Sequence, residues 1–295
     1  MNIDEAFELK KQQFIGDDLI MTTVEEANAF HSKFIKLRSE LFKDRIMEIM
    51  PHYRGEQNSG WDIRPGIFRP PLKINNPKTG KQLEEKAIQE FETVIKEKVG
   101  QNVLREIYNI EKYGKEWNLL FQAQHAGVKT TLTDWSAEII SALYFATEES
   151  LNESIENSDG QLWCFIIPVN YILGHNGYPQ KDTFYNLNPF DMKGTYLINS
   201  AFYITDIENR IFEYRMYRQK GRFLISSNDT CHIPINKQEE LKKFIFQIRI
   251  PAEFKKTIRK ELTLQGITRA YMFIEEKTEK QDLITEINKT VFKGY

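Results

Sequence analysis

Apolar residues recur at helical spacing in two long segments of the first third of the chain. The first segment, residues 22–49, opens with a capping box from Thr23 to Glu26. Its apolar stripe consists of Phe30, Phe34, Leu37 and Leu41. The second helix is predicted over residues 83–108, and Gly100 is expected to divide it, because glycine weakens a helix interior. Between the two helices, residues 61–81 are rich in Pro, Gly and Asn, which predicts a surface loop.

The second half of the chain carries strand patterns. Residues 160–169 form a continuous apolar run, which predicts a central strand, and residues 243–251 alternate apolar and polar positions. Further strands are predicted after Gly221 and over residues 267–274. A short helix between them spans residues 251–266, and a short polar helix ends the chain. Residues 150–159 read as a polar connector, and residues 170–200 as an irregular excursion.

Residues 122–149 join these patterns and organise the rest of the chain. We predict a loop at QHAGVK, a short β-branched run at TTLT, a turn at Asp-Trp-Ser and then a helix from Ser136. Asp134 or Ser136 is positioned to cap that helix. Its predicted buried face consists of Ile139, Ala142, Leu143 and Ala146. Polar groups at the junction of a strand and a helix commonly face a ligand, because unpaired helix N–H groups point there.

The strands do not alternate regularly with helices, so a doubly wound parallel sheet is not expected. The prediction is a mixed α+β fold in one domain over residues 1–295. It comprises an N-terminal helical portion (1–50), a core (51–275) and a C-terminal helix (276–295). A hydrophobic content of 41% is that of an ordinary globular protein.

Charge and cysteine content exclude several classes of function. The 40 basic and 42 acidic residues give a formal net charge of −2, so there is no global nucleic-acid footprint. The most basic local region holds Arg64, Arg69 and Lys73. Two cysteines without ligand spacing predict no metal site. Without an apolar leader or spanning segment, we expect a soluble cytoplasmic protein with no membrane partner.

Four separated pieces together resemble a known family. They are YRGE at 53–56 with the following RPGIFRP, QHAGVKTTLTDWS with ALYFA, RMYRQKGRF at 215–223, and residues 250–273. In this order they resemble the FRG domain family, which is named after its Phe/Tyr-Arg-Gly motif. The resemblance extends over about residues 50–275. Where the family has Pro-Thr-Arg, this chain has Lys129, Thr130 and Thr131, and Ile274 and Glu275 replace a closing Pro-Asp.

The resemblance implies a fold and an activity. The fold of the family looks like that of the ADP-ribosyltransferases, so we expect a transferase-like β core with flanking helices. It implies NAD as the substrate and transfer of ADP-ribose. Because the family occurs in phage-defence and toxin–antitoxin settings, a toxin with a cognate antitoxin, and possibly a chaperone, is implied.

The resemblance also gives individual residues a role. Arg54, on an early strand beside Tyr53, is the cofactor-gripping and catalytic arginine or, alternatively, forms an ion pair that supports the fold, and Gly55 allows close backbone approach. Thr130 is assigned to cofactor binding. His125 is a substrate ligand or general base, or it simply hydrogen-bonds the loop backbone.

Three further assignments remain open at this stage. Asp134 is a helix cap, or a group that binds ribose or acts as a base. Trp135 and Tyr144 are candidates to sandwich a planar ring, although core packing is the commoner role for Tyr144. Gln219 stands where the transferases carry their catalytic glutamate, and Glu213 is a candidate for the missing carboxylate.

The acceptor follows from the charges near Gln219. Basic residues alternate there with aromatic ones, which suits a phosphate-rich acceptor. The basic residues are Arg215, Arg218, Lys220 and Arg222. The expectation is therefore a toxin that ADP-ribosylates a nucleic acid, mRNA first of all, and so blocks translation and phage propagation. The alternatives are an ADP-ribosyltransferase acting on protein and a non-catalytic sensor that binds NAD, another nucleotide or RNA.

Overall fold

The computed structural model describes residues 19–41, 50–108, 114–167, 172–173, 187–198, 218–273 and 278–295. Its strands are β1 (Met50–Glu56), β2 (Leu132–Ser136), β3 (Gly160–Ile167), β4 (Ile172–Leu173), β5 (Tyr196–Ile198), β6 (Gly221–Ile225) and β7 (Ile245–Ile250). Within the described residues these seven strands form one sheet in the order β4-β5-β6-β2-β1-β3-β7. Neighbouring strands are antiparallel, except that β4 and β5 are parallel.

Helices flank this sheet and complete the mixed α+β fold that the sequence predicts. They are α1 (Val24–Leu41), α2 (Pro77–Val94), α3 (Gln101–Tyr108), α4 (Lys115–Ala126), α5 (Ile139–Thr147), α6 (Glu153–Glu156), α7 (Ala252–Leu264), α8 (Arg269–Met272) and α9 (Thr278–Val291). Among the described residues, no helix combines the length and apolarity needed to cross a bilayer.

The N-terminal helices follow the sequence signals closely. The capping box of α1 is confirmed, since the Glu26 amide donates to Thr23 Oγ1 at 3.1 Å and the Thr23 amide donates to the Glu26 carboxylate. Residues 42–49 of this predicted helix lie outside the described part of the chain. Gly100, with φ of 128°, separates α3 from the helical segment before it, as predicted.

Helix α2 begins six residues before the predicted start at Leu83. The Asn76 side chain accepts a hydrogen bond from the Thr79 amide, and Pro77 occupies the first helical turn. Proline is tolerated there because its missing N–H would have no helical partner. The last residues of the Pro- and Asn-rich segment, for which a loop is predicted, therefore form the first turn of a helix.

The segment around Asp134 differs from its prediction at three places. The first three residues of the predicted QHAGVK loop form the last turn of α4, which Gly127 ends in the left-handed conformation with φ of 102°. The predicted Asp-Trp-Ser turn belongs to β2, so Asp134 is a strand residue and caps no helix. Helix α5 starts at Ile139 instead of Ser136, and its predicted apolar face is buried as expected.

The C-terminal half confirms the strands predicted at β3, β6 and β7. The strand predicted over residues 267–274 is wrong, because Thr268 caps the short helix α8 by accepting a hydrogen bond from the Tyr271 amide at 3.2 Å. The polar connector contains α6, and the predicted irregular excursion contains β4 and β5.

A buried lysine ties α7 to the loops at one end of the sheet. Lys255 is 1% exposed, and its Nζ atom donates to backbone carbonyls. The acceptors are Gln57, Ile155, Glu156 and Ser158. The ammonium group thus joins the carbonyl end of α6 to the loop that follows β1 and fixes that loop.

Candidate functional site

The sheet divides between β1 and β2. The two strands pair through Tyr53 and Ser136, whereas β1 pairs with β3 along its whole length, from Met50 opposite Ile167 to Glu56 opposite Gln161. A cavity of about 410 Å³ lies beside this division. Seven of the residues singled out in the sequence line it, namely Tyr53, Arg54, Gly55, His125, Asp134, Trp135 and Gln219.

Arg54 bridges the division between the strands. Its Nε atom donates to Glu56 Oε1 at 3.1 Å, and its Nη1 atom donates to the main-chain oxygen of Asp134 at 2.6 Å. The side chain is 9% exposed. Two separate strands therefore fix the plane of the guanidinium group at the wall of the cavity, where it can bind an oxyanion in a fixed orientation.

Glu56 is the buried carboxylate that holds Arg54. It is 7% exposed, and its Oε2 atom accepts hydrogen bonds from Gln161 Nε2 at 3.0 Å and Trp163 Nε1 at 3.3 Å. Arg69 Nη2 lies 4.0 Å from the other carboxylate oxygen. Glu56 belongs to the YRGE motif, but the motif alone predicts no role for it. Only the β1–β3 register reveals that role, because it places Glu56 beside Gln161 and Trp163.

Asp134 is exposed on β2 and is held through its side chain. Gln124 Nε2, on α4, donates to both carboxylate oxygens at 3.1 Å. The side-chain oxygen of Gln124, Oε1, accepts a hydrogen bond from the Thr130 hydroxyl. Thr130 is fully buried and does not line the cavity, and it contacts the cavity residues through Gln124. No sequence signal predicts Gln124 at this site.

Two further cations, Arg69 and Lys129, line the same cavity. Burial and then the positive charge of Arg54 lower the pKa of Arg69 to about 10. Burial and the charge of Arg69 lower the pKa of Lys129. Arg54 thus disfavours the charged state of Arg69, and Arg69 disfavours that of Lys129, and a bound anion would relieve that repulsion. In the basic region predicted near Arg54, Arg69 lines the cavity. Arg64 does not line it, and its Nη2 atom lies 3.9 Å from Asp62 Oδ2.

Gly55 has a structural role that differs from the expected one. A Cβ atom at this position would lie 1.8 Å from the main-chain oxygen of Ala142 and 2.5 Å from the amide nitrogen of Ala146, both on α5. The close backbone approach predicted for a ligand is instead the approach of a helix. Gly160, on the neighbouring strand, faces the same helix, since its Cβ would lie 2.5 Å from the Ala146 oxygen.

The aromatic side chains expected to contact the cofactor are largely buried. Tyr53 is fully buried, and its hydroxyl is 2.8 Å from His31 Nδ1 on α1. Burial raises the pKa of Tyr53, so the hydroxyl stays protonated. Trp135 is 3% exposed, packs on the Phe165 ring and donates from Nε1 to Thr133 Oγ1. With 3% of its surface exposed, the Trp135 ring offers little area for stacking on a ligand.

Tyr144 lies away from this cavity. It borders a second cavity together with Glu148 and Arg269, and its hydroxyl is 3.5 Å from Glu148 Oε1. Burial and the charge of Glu148 raise the pKa of Tyr144 to about 12. The predicted aromatic sandwich of Trp135 and Tyr144 is therefore not formed, because α5 turns Tyr144 toward α7 and α8.

His125 and Gln219 both reach the cavity wall. His125, in the last turn of α4, is 8% exposed. Gln219 precedes β6, and its Nε2 atom donates to the main-chain oxygen of Met272 at 3.0 Å. The Gln219 main-chain oxygen accepts from the Ser136 hydroxyl at 2.8 Å. Gln219, in the motif piece at 215–223, thus contacts Met272 in the piece at 250–273 and Ser136 in the piece that contains Asp134.

Part of the predicted basic strip can be placed. Arg222 lines the cavity, whereas Arg218 stacks over the Tyr271 ring and donates to the Tyr271 main-chain oxygen. Glu213 and Arg215 lie outside the described residues. Within the described part of the chain, no group of three or more His, Cys, Asp or Glu side chains is arranged to hold a metal ion.

The fold and the cavity define a mixed α+β protein with a cation-rich cleft where one sheet divides. Residues 51–154 of this chain match the family model of the FRG domain. This match supports the FRG family for the segment that carries Arg54 and Asp134. No curated protein and no solved structure matches the chain.

Proposed function

We propose that this protein is an NAD-dependent ADP-ribosyltransferase that uses the cavity between β1 and β2. The observation that carries the proposal is the fixed guanidinium group of Arg54, held by Glu56 and by the Asp134 main chain within a group of cations. A pre-oriented arginine suits a diphosphate, since its fork matches phosphate oxygens. The resemblance to the FRG family supplies the reaction class.

The side chains divide the work along the substrate. Arg54, Arg69 and Lys129 bind the diphosphate, and the anion offsets their mutual repulsion. Asp134, held by Gln124, accepts a hydrogen bond from a ribose hydroxyl. Cleavage of the bond between nicotinamide and ribose develops positive charge on the sugar, and the carboxylate stabilises it. Little acid assistance is needed, because the departing nicotinamide is neutral.

The proposed acceptor is a nucleic acid, with mRNA as the first candidate. Arg222 lines the cavity beside Gly221 and supplies a cation at the side of the cleft near Gln219. Phosphate contacts from arginine position a nucleic acid without reading its sequence. Modified mRNA would stop translation and so arrest phage propagation, and a host would need an antitoxin to tolerate the protein.

The test is incubation with adenylate-labelled NAD, total cellular RNA and total protein, followed by separation of the two acceptor pools. We expect label in RNA, reduced at least about 100-fold in Arg54→Ala and in Arg54→Lys, because lysine cannot form the two-sided contact. The control is Lys193→Ala, which removes an 83% exposed cation that does not line the cavity. Equal labelling by wild type and Arg54→Ala would contradict the proposal. Label in protein alone would retain the transferase and change its acceptor.

A second candidate is a sensor that binds the nucleotide without turnover. Gln219 favours it, because its amide group is engaged with Met272 and carries no charge to stabilise a sugar cation. Such a sensor would bind NAD in calorimetry, with Arg54→Ala reducing the affinity. It would release no nicotinamide with RNA or protein present. Measurable release would exclude the sensor.

A further inference from the structure

One tryptophan in this protein differs from the other three. Trp61 is 43% exposed and lines the cavity between β1 and β2. Trp117, Trp135 and Trp163 are 1%, 3% and 6% exposed. Exposing an indole to water is unfavourable because of its apolar area, and tryptophan is enriched at surfaces that bind a partner.

The backbone at Trp61 is fixed although its side chain is open. Its main-chain oxygen accepts from Gln161 Nε2 at 2.7 Å, and its amide donates to the Asn58 oxygen at 3.2 Å. Gln161 is itself fully buried on β3. Trp61 makes no ring–ring or cation–ring contact with another residue of the described part of the chain. The indole is thus presented from an ordered loop and not packed into the aromatic core.

A chain of hydrogen bonds orders the site from one end to the other. Trp61 is joined through Gln161 to Glu56, Glu56 binds Arg54, and Arg54 binds the main chain of Asp134. Trp61 and Asp134 are therefore the two end members of this hydrogen-bond chain, and the guanidinium group of Arg54 lies between them in it. A dinucleotide has the same order, with a base at one end, a central diphosphate and the reacting sugar at the other.

We propose that Trp61 is the stacking surface for the adenine ring of the dinucleotide. The assignment rests on the proposed function, since it takes Arg54 as the diphosphate ligand and Asp134 as the ligand of the reacting ribose. It transfers the aromatic role from Trp135, whose ring is largely buried, to a residue outside the four motif pieces described above. Stacking on a tryptophan face is the contact that a purine ring makes with least dependence on hydrogen-bond geometry.

The test measures binding of ADP-ribose, AMP and ribose 5-phosphate by calorimetry and by tryptophan emission. The proteins are wild type, Trp61→Phe, Trp61→Ala and, as a control, Leu264→Ala, which truncates an 80% exposed side chain that does not line the cavity. ADP-ribose should quench wild-type emission and shield it from iodide. Trp61→Phe should bind ADP-ribose and AMP but lose that optical change, because the remaining tryptophans are buried.

Trp61→Ala separates the adenine contact from the phosphate contact. We expect its affinity for ADP-ribose and AMP to fall on the order of tenfold or more, the loss that removal of one base–aromatic stack produces. Its affinity for ribose 5-phosphate, which has no base, should stay unchanged, and so should all affinities of Leu264→Ala. Thermal melting of each variant shows that a lost affinity is not a lost fold.

Three outcomes would overturn the assignment and distinguish it from the proposed function. If Trp61→Ala binds ADP-ribose like wild type while Arg54→Ala loses it, the assignment to Trp61 is wrong and the proposed site stands. If an oligoribonucleotide shields Trp61 and ADP-ribose does not, the indole contacts the acceptor instead of adenine. If wild type binds neither ADP-ribose nor NAD, the proposed function and the assignment fail together.

Discussion

The two faces of strand β1 have opposite characters. Arg54 and Glu56 point toward the cavity and hold each other in an ion pair. Tyr53 and Gly55, which alternate with them and also border the cavity, pack against helices, with the Tyr53 hydroxyl on His31 of α1 and Gly55 against the backbone of α5. Side chains alternate across a strand, so four consecutive motif residues divide into two pairs.

A short motif can therefore combine a ligand site with the packing that supports it. Gly55 lets α5 lie close to β1, and that packing keeps β1 in register with β3. The register then aligns Glu56 with the side chains of Gln161 and Trp163, and Glu56 orients Arg54. The helix-facing residues therefore act on the fold, while the cavity-facing residues are expected to act on binding and chemistry.

The largest effect is expected from Gly55→Ala. The added methyl group would overlap the Ala142 oxygen at 1.8 Å, so α5 must move away from the sheet or the chain must fail to fold. We expect the free energy of unfolding to fall by about 4 kcal/mol or more, above the usual cost of overpacking. Chemical denaturation of the purified protein measures it, with low soluble yield as the extreme result.

The matched control for this substitution is Gly66→Ala. Gly66 also lies at the cavity, but a Cβ there would meet its nearest atom, Lys129 Cδ, at an ordinary 3.6 Å. Gly66→Ala should therefore leave the stability within about 1 kcal/mol of wild type. If Gly55→Ala were as stable as this control, the close packing of β1 on α5 would not be what the glycine provides.

A smaller effect is expected from Glu56→Gln, on the cavity face of the same strand. The amide cannot accept both from Arg54 and from the Gln161 and Trp163 donors, so Arg54 loses its fixed orientation. On the proposed function we expect kcat/KM for NAD to fall about tenfold, or about 1.4 kcal/mol, mainly through a higher KM.

This prediction needs a readout that a purely structural role would not change. Steady-state kinetics of Glu56→Gln and Glu56→Asp are compared with those of Glu153→Gln, an exposed carboxylate on α6. Glu56→Asp should recover part of the affinity, because it restores an acceptor with charge. A loss of stability in Glu56→Gln with an unchanged KM would show that Glu56 serves the fold alone.

The sequence predicts those parts of the fold whose cause is local. The stripe of α1, the capping box at Thr23 and the apolar run of β3 are each sufficient signals. Strand β1 has no such signal, because MPHYRGE contains neither apolar alternation nor a β-branched run. Its strand conformation comes from seven residue pairs with β3, which lie more than 100 positions later in the chain. The sequence of β1 alone does not predict that pairing.

The residues of the candidate site also differ in whether a sequence signal or only a tertiary contact identifies them. Arg54, Asp134 and Gln219 were singled out by resemblance to a family, and the structure brings all three to one cavity. Glu56 and Gln124 could not be assigned in advance, because their roles depend on partners that folding brings together, such as Trp163 and Asp134. Thr130 and Tyr144 were misplaced for the opposite reason, since their chemistry suits a ligand but packing directs them elsewhere.

The smallest expected effect concerns His31, the partner of Tyr53 on the helix-facing side. Burial lowers the pKa of His31 below its usual 6.5, and the charge of Glu138 opposes this only partly. The unfolded chain therefore binds a proton at a higher pH than the folded protein does. Stability is retained above pH 6.5 and declines as the pH falls from 6.5 through the lower folded-state pKa. Solvent screening at this part-buried site keeps the loss below about 1 kcal/mol.

His31→Gln removes this titration and isolates the helix-facing side of β1. Urea denaturation at pH 7.5, 6.5 and 5.5 should show a shallower acid decline for His31→Gln than for wild type. Binding of ADP-ribose at pH 7.5 should be unchanged, because His31 contacts Tyr53 and does not line the cavity.

Parallel pH profiles for the two proteins would show that the titration of His31 does not cause the acid decline in stability. A lost affinity at unchanged stability would show that the two faces of β1 are coupled, since a change confined to the packing side would then have altered the orientation of Arg54.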